Sequence, residues 1–409
     1  MRGEDRLTRA LDGIYRSYLR VKPLVEGRPD SEARNPAIIL DIARLLGLLP
    51  APERILKITG SKGKGTTARM AARLLDRETA GPVGLFVSPE EVRAPDRMRI
   101  NDLVPSDERF CALYDRLKPR LDSIEAGLED HRYLSPFGIF LLMALQWFKD
   151  EGVEWFVLEC GRGAAFDEVG RLPAKTAVVT SVFLEHPEYL GPTLSEIADN
   201  KFAIGDTAGG LIVSPQAAGF SGSREALVAP PVSGPVSGNV QGPAWIADAH
   251  GLAVAGIQHL LGRVVPPLKQ QELSTASFGE STLGETPVIW EACINEASLD
   301  RSFVDSLSNQ PGGCVAVVSL PDDKNRSPLL ESLESACLSV REIALTGDRG
   351  RLSYAQAKHL LATLDYQDTA GLLYVLRKLA DAQPGRRLYL IGTQTFIRLV
   401  RAALKSSAF

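Results

Sequence analysis

The sequence predicts an α/β protein of two domains, each built on a mostly parallel sheet, with a glycine- and lysine-rich loop in the first domain. Three observations predict this class. Short β-branched or aromatic runs alternate with helix-period segments along the whole chain, which is typical of α/β units. The segment 55–68 passes from a strand pattern through glycines into a helix pattern. The length of 409 residues suits two or three domains.

The predicted elements follow in chain order. Nine strands are predicted, at 54–60, 83–88, 155–160, 176–182, 210–213, 287–293, 314–320, 341–345 and 387–391. Helices are predicted at 67–75, 137–149, 247–261 and 355–363. Residues 214–242 are rich in Ser, Gly, Ala and Pro, which predicts a long loop. A polar, proline-containing passage at 263–285 places the domain boundary at about residue 270, giving domains 1–270 and 271–409.

Composition excludes several classes of protein. The 46 basic and 50 acidic residues give a net charge of −4, with no run of like charge, so we expect no nucleic-acid partner held by charge. The longest apolar stretch, 137–148, is shorter than the roughly 20 residues that span a bilayer. The first residues contain no apolar signal segment. Five scattered cysteines without a CxxC spacing argue against a disulfide framework or a zinc site and favour the cytoplasm.

The segment 60–66, Gly-Ser-Lys-Gly-Lys-Gly-Thr, is typical of a phosphate-binding loop. Glycines let the backbone wrap round phosphates, and the N–H groups at a helix N-terminus attract anions. Lys64 would neutralise the outer phosphates and the Thr66 hydroxyl would ligate Mg²⁺. The alternative is a Gly-Lys-rich surface turn, but the strand and helix on either side favour a nucleotide loop. The predicted ATP-binding residues of the loop are Gly60, Ser61, Lys62, Gly63, Lys64, Gly65, Thr66 and Thr67.

The loop resembles that of the Mur ligase superfamily, in particular that of folylpolyglutamate synthase and dihydrofolate synthase. Segments at 87–101, 157–167, 181–191 and 197–204 are similar to family segments in the same order, and weaker similarities follow at 322–324 and 392–396. The resemblance implies a Mur-ligase-like P-loop domain followed by a Rossmann-like α/β domain. It also implies an ATP- and Mg²⁺-dependent ligase that joins a small-molecule carboxylate to an amino acid or amine through an acyl phosphate. The sequence does not determine the oligomeric state, and we expect a monomer.

The resemblance further implies a magnesium site formed by Thr66, Ser88, Glu159 and His186. Hard Mg²⁺ prefers oxygen, so the His186 imidazole is an unusual ligand that the family match alone supports. Two alternatives stay open: Ser88 could belong to a strand-ending turn and His186 to a surface cap. Glu159 is harder to explain otherwise, because a carboxylate at the end of an apolar run is costly to bury without a cation.

Four further residues have implied roles in the substrate and metal sites. Lys201 aligns with the lysine that the family carbamylates to help hold a second magnesium, and together with Lys64 and His186 it is a predicted catalytic residue; the alternative for Lys201 is a solvated helix lysine. Arg93, Arg97 and Arg99 alternate along what we interpret as an extended segment, so all three could point to one face. They would bind an anionic substrate or merely solvate an edge strand.

The second domain departs from the family pattern. In the family an Asp-x-Ala-His-Asn segment completes the nucleotide site, whereas here Glu291 replaces the aspartate, Ile294 replaces the histidine and Asn295 is retained. The linker at 276–280 has no arginine, and Ser-Pro-Phe-Gly at 135–138 replaces a Thr-x-Phe-Glu-like run. Glu291 and Asn295 are still predicted to contact ATP. The departures favour a ligase with a diverged substrate over folate synthesis, although folate stays possible. Two other hypotheses stay open: a nucleotide-binding homologue that regulates or scaffolds a partner, and a plain P-loop NTPase.

Overall fold

The structure is a computed structural model, and it describes residues 3–129, 131–232, 242–269, 272–273, 275, 277–322, 324, 326–347 and 353–406. These residues form two compact units. The first unit contains the described residues up to 232 together with 246–268, and the second contains 242–245 and the residues from 269 onward. None of the helices among these described residues combines the length and the hydrophobicity that a membrane-spanning helix needs.

The first unit is built on a seven-stranded sheet in which all neighbours except one pair are parallel. Its strands are β1 Ile55–Thr59, β2 Val83–Phe86, β3 Met98–Ile100, β4 Trp155–Glu159, β5 Ala174–Val179, β6 Ala208–Val213 and β7 Leu227–Val228, in the order β3-β2-β4-β1-β5-β6-β7. The short edge strand β3 is antiparallel to β2. Because β1 and β4 are central, they are buried almost throughout, which explains their mostly apolar sequences.

Eleven helices of the first unit lie within the described residues. They are α1 Gly3–Val25, α2 Asp30–Ala33, α3 Pro36–Leu45, α4 Lys64–Glu78, α5 Asp107–Glu125, α6 Pro136–Asp150, α7 Glu168–Arg171, α8 Pro187–Leu190, α9 Leu194–Phe202, α10 Pro215–Ala218 and α11 Ala244–Leu261, of which the last begins in the second unit. Helix α6 begins where Ser135 Oγ accepts a hydrogen bond from Gly138 N at 2.9 Å, an ordinary serine N-cap. Nine of its ten buried residues join one large apolar core with α1, α3, α5 and the sheet.

The second unit is built on a six-stranded sheet with one antiparallel edge. Its strands are β8 Phe278–Leu283, β9 Thr286–Ala292, β10 Cys314–Ser319, β11 Ser339–Thr346, β12 Leu360–Asp365 and β13 Arg387–Gly392, in the order β12-β11-β10-β13-β9-β8. Strand β8 is antiparallel to β9 and the other pairs are parallel. The helices are α12 Arg301–Ser308, α13 Arg326–Ala336, α14 Thr369–Ala382 and α15 Gln394–Ser406. Helices α14 and α15 share an apolar core with the sheet.

The predicted fold class is confirmed, and all nine predicted strands are present with ends shifted by a few residues. The helix predicted at 355–363 is wrong: residues 355–358 are in turns and a bend, and the edge strand β12 begins at Leu360. No residue of this edge strand is fully buried, so its sequence lacks a clear strand alternation, and its mixed apolar and polar pattern imitates an amphipathic helix. The loop predicted at 214–242 contains α10 and β7 in its described part, and its residues 233–241 lie outside the described residues.

Candidate active site

The glycine-rich loop leaves the carboxyl end of β1 and leads directly into α4. Gly60 has φ +140° and Gly63, the N-cap residue of α4, has φ +86°. These conformations suit glycine. A Cβ at Gly60 would also lie only 2.0 Å from Thr180 Oγ1. The N–H groups of the first turn of α4 therefore follow a tight backbone turn at the carboxyl edge of the sheet. This arrangement favours the binding of phosphate.

The loop is held in shape by the segment that follows β5. The carbonyl oxygen of Lys62 accepts hydrogen bonds from Thr180 Oγ1 at 2.6 Å and Ser181 Oγ at 3.2 Å. The Lys62 N–H donates to Ser181 Oγ at 2.9 Å, and the Ser61 N–H donates to the Ser181 carbonyl at 2.8 Å. Neither Thr180 nor Ser181 was among the predicted ATP-binding residues. Both lie near the carboxyl end of the predicted strand 176–182, beside the loop strand in a parallel sheet, and this position is the signal that could have found them.

Lys64 and the two threonines occupy the start of α4. The Lys64 ammonium folds back over the loop and donates to the Gly60 carbonyl at 2.8 Å. Thr66 and Thr67 are both buried. The Thr67 hydroxyl oxygen has no hydrogen-bond partner among the described residues. The loop thus holds the Lys64 ammonium over its own turn, and an unsatisfied buried hydroxyl follows at the start of α4.

Glu159 ends β4, which lies beside β1 in the sheet. Its carboxylate is 3% exposed, and Oε2 accepts a hydrogen bond from Ser88 N at 3.0 Å. A Cβ at Gly65 would lie 3.2 Å from Oε2, so the carboxylate is close to the loop. Burial raises the pKa of Glu159 to about 7, although Lys64 and the Ser88 N–H oppose this. Within the described part of the chain, the carboxylate forms no direct ion pair, although the charges of Lys64, Arg69 and Arg97 act on it. A buried charge without a direct partner is costly.

His186 and Lys201 lie in neighbouring segments beyond β5. His186 has φ +48° at the N-cap of α8, and its ring centroid is 6.5 Å from that of Tyr189. Lys201, in the last turn of α9, is fully buried, and its Nζ donates to Glu185 Oε1 at 2.6 Å. Burial lowers the pKa of Lys201, although the Glu185 carboxylate opposes this. The alternative of a solvated helix lysine is therefore wrong.

The predicted extended segment that carries three arginines is partly wrong. Residues 94–97 form a 3₁₀ turn, because the Asp96 carboxylate accepts hydrogen bonds from the N–H groups of residues 91, 92 and 93. Arg93 is exposed and pairs with Asp107. Arg97 pairs with Glu90 at 2.5 Å and Arg99 lies 3.6 Å from Glu91. The three arginines therefore do not alternate along one strand.

Arg69, for which the sequence predicted no role, lies against the segment 88–99. Arg69 projects from α4 and pairs with Glu91 at 2.6 Å. It is 8% exposed, and its Nη1 has no partner among the residues that the structure describes. Because Thr66 precedes Arg69 by three positions, the two share one face of α4. The Glu159 and Arg69 charges also influence each other, so this face of α4 has a cation that sequence analysis missed.

Glu291 and Asn295 belong to the second unit and have local structural partners there. Glu291 is fully buried on β9 and accepts hydrogen bonds from Trp245 Nε1 at 2.9 Å and Tyr389 Oη at 2.5 Å. Because these donors enclose the carboxylate, it is not accessible to a ribose, which corrects the prediction for Glu291. Asn295 Oδ1 caps the turn 296–298 by accepting from Ser298 N at 2.9 Å. Ile294 is half-buried.

These features define a class of protein: a P-loop α/β protein whose first sheet brings the loop, Ser88 and Glu159 together at its carboxyl edge. No protein-family model matches the chain. The chain is similar to a probable bifunctional folylpolyglutamate synthase/dihydropteroate synthase of Haloferax volcanii, at 33% identity over 187 residues that cover 45% of this chain and 22% of the relative. It is also similar to a folylpolyglutamate synthase of Saccharomyces cerevisiae, at 31% over 210 residues, covering 48% and 38%.

Solved structures extend the likeness to the whole fold. The folylpolyglutamate synthase of Mycobacterium tuberculosis, solved with ADP and AMPPCP, superposes with a TM-score of 0.73 at 20% identity, covering 94% of this chain and 98% of that chain. A bifunctional folylpolyglutamate synthase/dihydrofolate synthase with Mn, AMPPNP and L-glutamate bound has a TM-score of 0.66 at 24% identity, covering 91% and 94%. The resemblance stated from the sequence is confirmed. The sequence matches span between about a fifth and two fifths of the length of those curated relatives.

Proposed function

We propose that the protein is an ATP-dependent ligase that joins a small-molecule carboxylate to an amino acid or amine. ATP would convert the carboxylate into an acyl phosphate with release of ADP, and the amine would then displace phosphate to form the amide. The observation that carries this proposal is the glycine loop beside the buried, unpaired carboxylate of Glu159. Phosphoryl transfer depends chiefly on positioned cations and a metal around such a loop.

A divalent cation fits the residues beside the loop. Glu159 is a buried carboxylate that forms no direct ion pair among the described residues, although nearby positive charges act on it. The Thr66 hydroxyl follows the loop lysine by two positions. We propose that Thr66, Ser88, Glu159 and His186 hold Mg²⁺, which would neutralise charge on the phosphates. The main-chain N–H groups of residues 60–67 and the Lys64 ammonium would orient the ATP phosphates. These proposed phosphate- and metal-binding residues favour an enzyme over a regulatory homologue that binds nucleotide without turning it over.

The substrates are proposed by class. Arg97 and Arg99 lie near the Ser88 turn, and their pairing with Glu90 and Glu91 leaves them anchored rather than freely solvated. We propose that they contribute to binding of the anionic acid, whereas Arg93 is exposed and less suited to this role. The relatives named above suggest a folate-type acid and glutamate. The replaced residues at 291–295 favour a different acid or amine. A reducing compartment such as the cytoplasm suits five cysteines that are all reduced.

The proposal is tested by measuring ADP release from Mg-ATP with a matrix of carboxylates and amino acids, folates and glutamate included. We expect one acid–amine pair to be required for release, and the product mass to equal the sum of both substrates less one water. ADP release that needs neither substrate would make the protein an NTPase. Tight nucleotide binding without any turnover across the matrix would favour the regulatory homologue.

Lys201 provides a separate prediction, because we propose that its amine becomes carbamylated. Carbamylation needs the neutral amine, which burial favours. The amine adds to CO₂ and one proton is released. Lys201→Ala should then lower turnover by at least about tenfold, the scale expected for a residue that supports a metal site. Added acetate should restore part of the rate, since it replaces the lost carboxylate.

The matched control for this rescue is Lys57→Ala. Lys57 is also fully buried, but its ammonium donates to the carbonyls of Gly170 and Leu172 and to Thr207 Oγ1, so acetate should have no effect on that variant. Rescue of Lys201→Ala by ethylamine instead of acetate would show that an ammonium group acts at this position, and the carbamate would be abandoned while the ligase proposal stood.

A further inference from the structure

Two cysteines of the second unit lie in direct contact. Cys314 is the first residue of β10, and Cys337 follows the last residue of α13. Their Sγ atoms are 3.2 Å apart. Both thiols are free and buried, at 0% and 8% exposure. The sulfur atoms of a disulfide are about 2.05 Å apart, so closing this bond requires a movement of roughly 1 Å.

The backbone on both sides keeps the two sulfur atoms together. The Leu338 N–H donates to the Cys314 carbonyl at 3.0 Å, and the Cys337 N–H donates to the Leu333 carbonyl at 2.7 Å. Strand β10 is flanked by β11 and β13, so the Cys314 end is held within the sheet. The contact therefore comes from two fixed elements, which bring together residues 23 positions apart.

The surroundings also favour reaction at Cys314. Hydrogen bonding with the Cys337 thiol, which outweighs burial, lowers the pKa of Cys314 to about 7, with help from Ser308 and the Arg387 charge. Ser308 Oγ lies 3.3 Å from the Cys314 sulfur. The thiolate is the nucleophile in thiol–disulfide exchange, so the lowered pKa favours Cys314 as the attacking sulfur once local opening of the buried pair admits the oxidant.

We propose that Cys314 and Cys337 form a redox-modification site that closes into an intramolecular disulfide when a low-molecular-weight disulfide is the oxidant. The Cys314 thiolate attacks one sulfur of the oxidant and forms a mixed disulfide, releasing the first small thiol. Cys337 then loses its proton and attacks the Cys314 sulfur, releasing the second small thiol. The protein loses two hydrogens and the oxidant gains both.

The position of the pair indicates what the bond would change. Cys314 begins its strand, so the disulfide would lie at the amino ends of the parallel strands, whereas ligands of such sheets bind at the carboxyl ends. The bond would join β10 to the connection between α13 and β11, and would restrict the unfolded chain. We therefore expect oxidation to stabilise the second unit without changing nucleotide binding by the first.

The test treats the full-length protein with oxidised glutathione, then alkylates the remaining thiols and maps the peptides without reduction. We expect a peptide pair linked through Cys314 and Cys337, while the other three cysteines are alkylated once the protein is unfolded. The melting temperature should rise by about 5 °C, and the affinity for a fluorescent ATP analogue should not change.

Variants and a second reagent give this test its controls. Cys314→Ser and Cys337→Ser should each abolish both the link and the rise in melting temperature, whereas Cys293→Ser, a buried cysteine of the same unit, should keep them. Phenylarsine oxide, which bridges two adjacent thiols with loss of water, should bind the reduced protein in a 1:1 ratio and not bind Cys337→Ser. Full alkylation of both thiols after oxidation, a stable glutathione adduct on Cys314 or a different cysteine pairing would each overturn the proposal.

Discussion

Replacement of Lys64 by alanine is expected to lower the rate of ADP formation by at least about 100-fold, the usual cost of losing a charge contact to a transferring phosphoryl group. The Lys64 ammonium lies over the loop, where it donates to the Gly60 carbonyl at 2.8 Å. The loop backbone is held independently, by the hydrogen bonds that Thr180 and Ser181 make to Lys62. The fold should therefore survive, and the loss should fall on catalysis.

The measurement is the initial rate of ADP release at saturating Mg-ATP and at a saturating acid–amine pair, with thermal unfolding of each variant. Lys149→Ala is the matched control, because Lys149 is an exposed lysine near the end of α6 and should leave the rate unchanged. A folded Lys64→Ala protein that releases ADP at the original rate would reject the assigned role of Lys64.

The parts of the site that sequence analysis found are those encoded locally. The strand, glycines and helix of residues 55–68 follow one another directly, so their order alone predicts the phosphate loop. Glu159 could be identified because a carboxylate at the end of an apolar run is costly to bury. The structure confirms the burial, at 3% exposure. Both signals need only a few neighbouring residues.

The parts that were missed or misread depend on partners far along the chain. Glu291 appeared available to a nucleotide, yet Tyr389, 98 positions away, and Trp245, 46 positions away, enclose its carboxylate. The Ser181 contacts to the loop span 119 positions. The Asp96 carboxylate accepts hydrogen bonds from three backbone N–H groups and so turns the chain before β3. The segment 93–99 is therefore not the extended segment that the spacing of its arginines indicates. The spacing of apolar and polar residues along the chain does not indicate such long-range contacts.

Glu159→Gln is expected to combine a loss of activity with a gain in stability. Glutamine keeps an oxygen for the Ser88 N–H but removes the charge proposed to hold the metal, so turnover should fall by at least about 100-fold. The folded-state pKa of Glu159, about 7, lies above its ordinary value of 4.5. The protonated carboxyl is thus favoured in the folded chain, and the metal-free protein loses stability as pH rises from about 4.5 to 7, by on the order of 3 kcal/mol.

Glutamine has no such ionisation, so the two proteins should have similar stability at pH 4.5, and metal-free Glu159→Gln should be the more stable one at pH 8. The measurement is urea unfolding with chelator at both pH values, repeated at pH 8 with Mg²⁺ and an ATP analogue, which should stabilise only the original protein. Glu154→Gln, at an exposed position just before β4, is the matched control and should change neither activity nor the pH dependence. Removal of a buried charge that serves function rather than stability should stabilise the fold. If Glu159→Gln were instead less stable at pH 8 and equally active, the carboxylate would be a structural group.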